Sequence, residues 1–132
     1  MNNQQSMRKK IVFTEQAPAP IGPYSQGVIS GGILYLSGQI ALNPATGELE
    51  TDTIENETHR VMQNILALLE TQSLGFQDVV KTTIFLKDMN DFAKVNAVYG
   101  SYFQGDYPAR ETVQVSRLPK DVQVEISMMA AL

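Results

Sequence analysis

Arg110 carries the most chemically demanding position in this chain. It heads the stretch "YPARETVQV" (107–115), which otherwise reads as a β-branched strand with a buried face. A guanidinium in such a place is costly unless an anion meets it. The usual nucleophile and base pairs are scarce, because the chain has no cysteine and one histidine, His59. That removes a cysteine nucleophile, a thiolate zinc site and a disulfide framework. His59 falls on a long helical segment, off its apolar stripe and with no second ligand at metal-site spacing, so it reads as a surface or interface residue.

Strand periodicity suggests which carboxylate. Over 110–116, Val113 and Val115 share one face, while Arg110, Thr112, Gln114 and Ser116 share the other. Over 121–131, Val122, Val124 and Ile126 point one way, and Gln123, Glu125, Ser127 and Met129 the other. If "RLPK" (117–120) closes a hairpin with Ser116 opposite Asp121, Thr112 faces Glu125 and Arg110 lies one pair away. Arg110 and Glu125 then share a face. The plainest reading of such a pair is a cross-strand ion pair worth at most about 1 kcal/mol when exposed.

The elements that must position these residues follow from the rest of the pattern. "KIVF" (10–13) is a strand. "APAPIGPYSQG" (17–27) has too much proline and glycine for helix or central strand, and reads as a stiff segment that fixes Pro23, Tyr24 and Ser25. "VISGGILYLSGQIAL" gives two strands around a Gly31-Gly32 turn, with Leu34, Leu36 and Ile40 inward and Tyr35, Ser37 and Gln39 on a second face. "NPATGE" (43–48) is a further turn. A helix is expected from Asp52 to Leu74, with Ile54, Val61, Ile65, Leu68 and Leu69 as its stripe, Asp52 and Glu55 at its cap and Gly75 as its stop. "VVKTTIFLK" (79–87) is a strand. A second helix starts near Asn90 or Asp91, with Phe92, Val95, Tyr99, Tyr102 and Phe103 inward and Gly105 at its end. The two aromatic-rich turns read as helix core, not as a base-stacking platform.

This order predicts an α+β domain, a mixed sheet with two helices packed on one face. The second face is half apolar, since Tyr35 and Met129 share it with polar residues, so a homo-oligomer is expected.

The chain has 132 residues, 43% of them hydrophobic and 18% charged, enough for one domain with a real core. The expected organisation is a flexible tail over residues 1–8 and a single domain over 9–132. The net charge of −4 and pI near 4.9 argue against nucleic acid as a main partner. Arg8, Lys9 and Lys10 read as a solvated edge. The N-terminal "MNNQQSMRKK" lacks the apolar core of a signal peptide, and no apolar run reaches membrane-spanning length. A cytoplasmic protein is expected.

Four blocks carry a resemblance: "APIGPYSQG", "SGQIALNPATGE", "VVKTTIFLKDMNDFAKVNAVYG" and "PAR-x-x-V-x-V-x-x-LPKD-x-x-x-EI". Together they resemble the Rid family (YjgF-like proteins), specifically its RidA branch of reactive-imine deaminases, from Pro18 to Leu132. The resemblance implies a chorismate-mutase-like fold and a homotrimer with sites between subunits. It implies hydrolysis of 2-aminoacrylate (2-iminopropanoate) and 2-iminobutanoate to 2-ketoacids and ammonia, without a cofactor or metal. Carried over by position, Arg110 becomes the clamp for the substrate carboxylate and Glu125 holds the attacking water. Tyr24 and Ser37 line the pocket, and Thr112 stands beside the substrate where RidA members often carry cysteine.

These residue types suit that reaction. Planar, bidentate recognition of a carboxylate favours guanidinium. A carboxylate can orient water and accept its proton, and a protonated imine needs no covalent nucleophile. The rival expectation is a regulatory or partner-interaction protein that binds a 2-ketoacid in the same pocket without turnover.

Overall fold

The computed structural model describes residues 8–132. The expected tail over residues 1–8 therefore lies outside the described residues except for Arg8, which is exposed along with Lys9 and Lys10. The elements in chain order are β1 (Lys10–Val12), β2 (Gly27–Ser30), β3 (Ile33–Leu36), α1 (Ile54–Glu70), β4 (Val79–Leu86), α2 (Phe92–Gly100), β5 (Ala109–Gln114) and β6 (Val124–Ala131). The strands form one mixed sheet in the order β1-β2-β3-β6-β4-β5. Among the described residues only β4 and β5 pair in parallel. No helix among the described residues is long and apolar enough to cross a membrane.

Local chemistry explains the first half. Gly31 and Gly32 adopt φ of 60° and 80°, the left-handed backbone that a two-residue turn between β2 and β3 requires. The cap of α1 falls one residue later than expected: Thr53, not Asp52, accepts a bond from the Asn56 amide through its side chain. The helix also stops earlier, at Glu70, and Ser73 takes the left-handed conformation before Gly75 is reached. Its inward stripe is the expected one. Val61, Ile65, Leu68 and Leu69 pack with Ile84, Leu86, Val124, Ile126 and Met128 of the sheet. Each such fully buried aliphatic side chain contributes about 1.5–3 kcal/mol.

The C-terminal half corrects the expected topology. Residues 110–116 and 121–131 do not form a hairpin. β5 lies parallel to β4 at the sheet edge, and β6 runs between β3 and β4. Two features account for this. Helix α2 supplies the crossover that parallel pairing of β4 and β5 needs. Residues 115–123 include a 3-10 turn at Pro119–Asp121, with left-handed Lys120 and Asp121, and return the chain to the sheet's interior.

The face assignment reverses with it. In the β4–β5 register, Arg110, Thr112 and Gln114 stand beside Thr82, Ile84 and Leu86, whose side chains are buried under the helices. Val113 stands beside Phe85 on the open face and is exposed. Arg110 therefore points to the helix side, not away from it. The chain tolerates polar residues there because β5 is the outermost strand, where the helical cover ends. Beyond β3 the alternation also slips, so that Gln39 is buried and Ile40 is half-buried. The open face keeps its expected apolar character, with Tyr35, Met129, Val80 and Val113 exposed.

Candidate active site

Helix α2 builds the seat of Arg110. Phe92, Asn96 and Tyr99 lie at helical spacing and share one side of the helix. Arg110 Nη1 donates to Asn96 Oδ1 at 2.6 Å. Its guanidinium carbon lies 5.1 Å from the Tyr99 ring centre and 5.7 Å from that of Phe92. The aromatic faces hold the cation without neutralising it. Tyr99 is itself anchored, donating to Thr82 Oγ1 at 3.0 Å. Among the described residues Arg110 forms no ion pair. The guanidinium opens into a cleft of about 330 Å³ bounded by Asn96, Gly100, Tyr107 and Pro108.

Thr112 sits two residues further along the same face of β5, opposite Ile84. Its Oγ1 is buried and has no hydrogen-bond partner among the described residues. A buried hydroxyl left without a partner is costly, and a ligand or water reaching it would remove that cost.

Glu125 occupies a different place. It stands opposite Phe85 on β4, three residues from Thr82, which stands opposite Arg110. An odd offset on one strand puts the two side chains on opposite faces of the sheet. Their strands are also separated by β4, about 10 Å across. The expected shared face for Arg110 and Glu125 is therefore overturned, and with it the cross-strand ion pair.

A second cleft, about 350 Å³, contains Glu125 with Ile21, Tyr24, Ser37 and Gly38. Desolvation raises the Glu125 carboxyl above its ordinary value of 4.5, with no opposing charge to bring it back. The cleft is assembled by backbone ties. Gln39 and Ile126 exchange two backbone bonds, at 2.8 and 3.1 Å, which lays the 37–40 segment against β6. Ser37 Oγ donates to the Ser25 carbonyl at 2.6 Å, and the Ser37 amide donates to the Gln26 carbonyl at 3.0 Å. Ser37 lines the cleft, but its hydroxyl proton is spent on holding the loop that carries Tyr24. The buried Gln26 amide fixes the other end of that loop through the Thr14, Ala17 and Pro18 carbonyls.

The expected pocket residues on one chain thus divide into two groups, Arg110 with Thr112 on the helix side and Tyr24, Ser37 and Glu125 on the open face. Sequence reasoning missed Asn96 and Gly38. Asn96 had a readable signal, a polar residue at helical spacing between Phe92 and Tyr99 on an otherwise apolar side. His59 is exposed, bonds Tyr102 through Nδ1 at 2.8 Å and lines neither cleft, as its surface reading implied. A wider depression of about 1000 Å³ runs along the start of α1, where Arg60 pairs with Glu50 at 2.7 Å and Asp52 accepts a bond from the Asn56 side chain. No group of three metal-ligating side chains gathers among the described residues.

Comparison with known proteins agrees with this architecture. The family model described as "Endoribonuclease L-PSP" matches residues 14–132. A 2-iminobutanoate/2-iminopropanoate deaminase of Escherichia coli is 48% identical over 124 residues, covering 92% of this chain and 96% of that protein. The crystal structure of a Rid family protein from Yersinia pestis superposes with a TM-score of 0.91 at 46% identity, covering 94% of this chain and 99% of that one. That of E. coli TdcF with bound serine gives 0.89 at 43% identity, with 93% and 98% covered. The chain belongs to the Rid (YjgF-like) family, whose model carries the endoribonuclease L-PSP description.

Proposed function

We propose that this protein is a cofactor-free hydrolase of small 2-imino acids and their enamine tautomers, 2-iminopropanoate (2-aminoacrylate) and 2-iminobutanoate among them, releasing the 2-ketoacid and ammonia. The observation that carries this reading is the division of charge: an unneutralised, aromatically held Arg110 on one face and a desolvated Glu125 on the other. Each suits one end of an imino acid. A single chain cannot bring both to one small molecule, whereas two copies can. The reading therefore requires a homo-oligomer in which the β5 edge of one copy meets the open face of the next. A head-to-tail contact of this kind closes into a ring when the rotation between copies is a whole fraction of a turn. We take the ring to be a trimer, with one site at each seam, in keeping with the resemblance in the four sequence blocks.

The chemistry runs through these groups. Arg110 receives the substrate carboxylate on the nitrogens that Asn96 leaves free. Glu125 accepts a proton from a water as the water oxygen bonds to the imine carbon. That proton passes to the imine nitrogen to complete the carbinolamine, whose hydroxyl then gives its proton through Glu125 to the departing nitrogen as the carbon–nitrogen bond breaks, leaving the 2-ketoacid and ammonia. Tyr24 bounds the cleft beside the reacting carbon. Thr112 offers its orphaned hydroxyl near the carboxylate. The family description also names an endoribonuclease, but the acidic chain and a lone histidine already bonded to Tyr102 support the small-molecule reading better.

The test is a coupled assay in which a threonine dehydratase supplies 2-iminobutanoate and 2-ketobutyrate formation is followed with and without this protein. Acceleration that disappears in Arg110→Ala supports the reading. A second reading, a 2-ketoacid-binding regulator without turnover, draws support from the TdcF structure with bound serine. No acceleration, together with saturable 2-ketobutyrate binding, would favour it.

A further inference from the structure

Gly38 has no backbone reason to be glycine. Its φ is outside the left-handed region, unlike Gly31, Gly32, Gly47 and Gly105. A φ outside that region does not by itself require glycine. What excludes a side chain is Glu125. A Cβ built on Gly38 would lie 2.3 Å from Glu125 Oε2, 2.9 Å from its Cδ and 3.1 Å from its Cγ. The carboxylate rests in the volume that any other residue at 38 would fill. The bridge between Gln39 and Ile126 presses the two segments together at that place, so the backbone has little freedom to retreat.

We infer that Gly38 is a positioning residue for Glu125: its missing side chain is the seat that holds the carboxylate in its working place. The inference rests on the hydrolase reading above and adds to it the element that sets where the water-activating oxygen stands. Removing the seat moves the carboxylate without altering its chemistry. A displacement of about 1 Å in a reacting group costs about 100-fold in rate. The Arg110 that completes this site comes from the neighbouring copy and does not rest on Gly38, so substrate-carboxylate affinity should persist.

The experiment compares Gly38→Ala, Glu125→Asp, Glu125→Gln and the two double variants in the dehydratase-coupled assay, with thermal unfolding as a check on folding. Gly38→Ala is expected to lower kcat about 100-fold and to change KM less than about threefold. Glu125→Asp should lower kcat in the wild-type background but raise it in the Gly38→Ala background, because the shorter side chain withdraws from the new methyl. A purely structural glycine would not produce that reversal of sign. In the Glu125→Gln background, Gly38→Ala should cost little further. The inference is overturned if Gly38→Ala keeps wild-type kcat, if Glu125→Asp lowers kcat in both backgrounds, or if the alanine costs as much in the Glu125→Gln background as in the wild type. Should Glu125→Gln alone retain full kcat, the hydrolase reading of Glu125 falls and the inference with it. Loss in Glu125→Gln with none in Gly38→Ala removes the inference only.

Discussion

Asn96 Oδ1 and Arg110 Nη1 are 2.6 Å apart, joining α2 to the outermost strand of the sheet. A neutral acceptor at this place orients the guanidinium while leaving its charge for a ligand. Asn96→Asp would supply a full counter-charge instead, and the substrate carboxylate would then have to displace it. Charge-assisted bonds are worth about 1.5–3 kcal/mol. Asn96→Asp is therefore expected to weaken 2-ketobutyrate binding by about 10- to 100-fold. Asn96→Ala, which only loosens the guanidinium, should weaken it by about 3- to 10-fold. Calorimetric titration of the three proteins checks the order. Wild-type affinity in the aspartate variant would show that Arg110 does not receive the carboxylate.

The pH dependence of turnover follows from Glu125. On the proposed hydrolase reading Glu125 must be ionised to take a proton from water, and desolvation within the chain raises its pKa from the ordinary 4.5. Values of kcat/KM should therefore climb with rising pH along an acid limb that reports Glu125. Glu125→Gln should erase that limb and lower the rate by about 100- to 10,000-fold. A full-rate glutamine variant with the same limb would assign the titration to another group.

Much of this arrangement was legible before the structure, and the failures have specific causes. The Gly31-Gly32 turn, the α1 stripe and the β4 strand each rest on local rules that tertiary packing does not override. Arg110 and Glu125 stand out through strand periodicity, and Tyr24, Ser37 and Thr112 through the family resemblance; Arg110 lines one cleft, and Tyr24, Ser37 and Glu125 line the other. What failed was the face of Arg110. Period-2 alternation says that Arg110, Thr112 and Gln114 share a face, but not which face is covered. The short "RLPK" segment favoured a hairpin, because neighbouring strands usually pair. The α2 crossover outweighed it, and an edge position made polar residues acceptable on the helix side. Gly38 was unreadable for a different reason, since its neighbour Glu125 is distant in sequence and meets it only through the Gln39–Ile126 bridge.

Glu57 predicts a pH-dependent stability that neither cleft explains. It is fully buried on α1, and its Oε2 accepts bonds from the Gln123 and Val124 amides at 2.7 and 3.1 Å, just before Glu125. Oε1 has no partner among the described residues. Burial raises its pKa, the two amides oppose the rise, and Asp91 adds to it. With the folded pKa above the unfolded one, the folded state binds the proton more tightly. That stabilisation is complete below about 4.5, the unfolded value, and is lost as pH rises through the folded value. Glu57→Gln keeps an oxygen for the amides and cannot ionise. Its stability relative to wild type should increase as pH rises across that window, measured by urea unfolding at a series of pH values. A constant difference across the series would mean that Glu57 does not titrate there.

The strongest consequence of Arg110 and Glu125 lying on opposite faces concerns mixtures of inactive variants. If each site takes Arg110 from one copy and Glu125 from the next, Arg110→Ala and Glu125→Gln homo-oligomers are both dead. A mixed ring, formed by co-expression or by refolding the two together, contains seams with both native residues. Each seam needs one particular variant on each side, so random mixing of equal amounts restores about one quarter of the sites. Activity near that fraction, appearing only after the subunits exchange, is the expected result. Val113→Glu on the open face, where an apolar contact between copies is required, should lower both the oligomer mass by light scattering and the activity. If the mixture stays inactive while mass spectrometry shows that mixed rings have formed, the two residues do not meet across a seam. The hydrolase reading would then lose the arrangement that lets a divided site act on one small molecule.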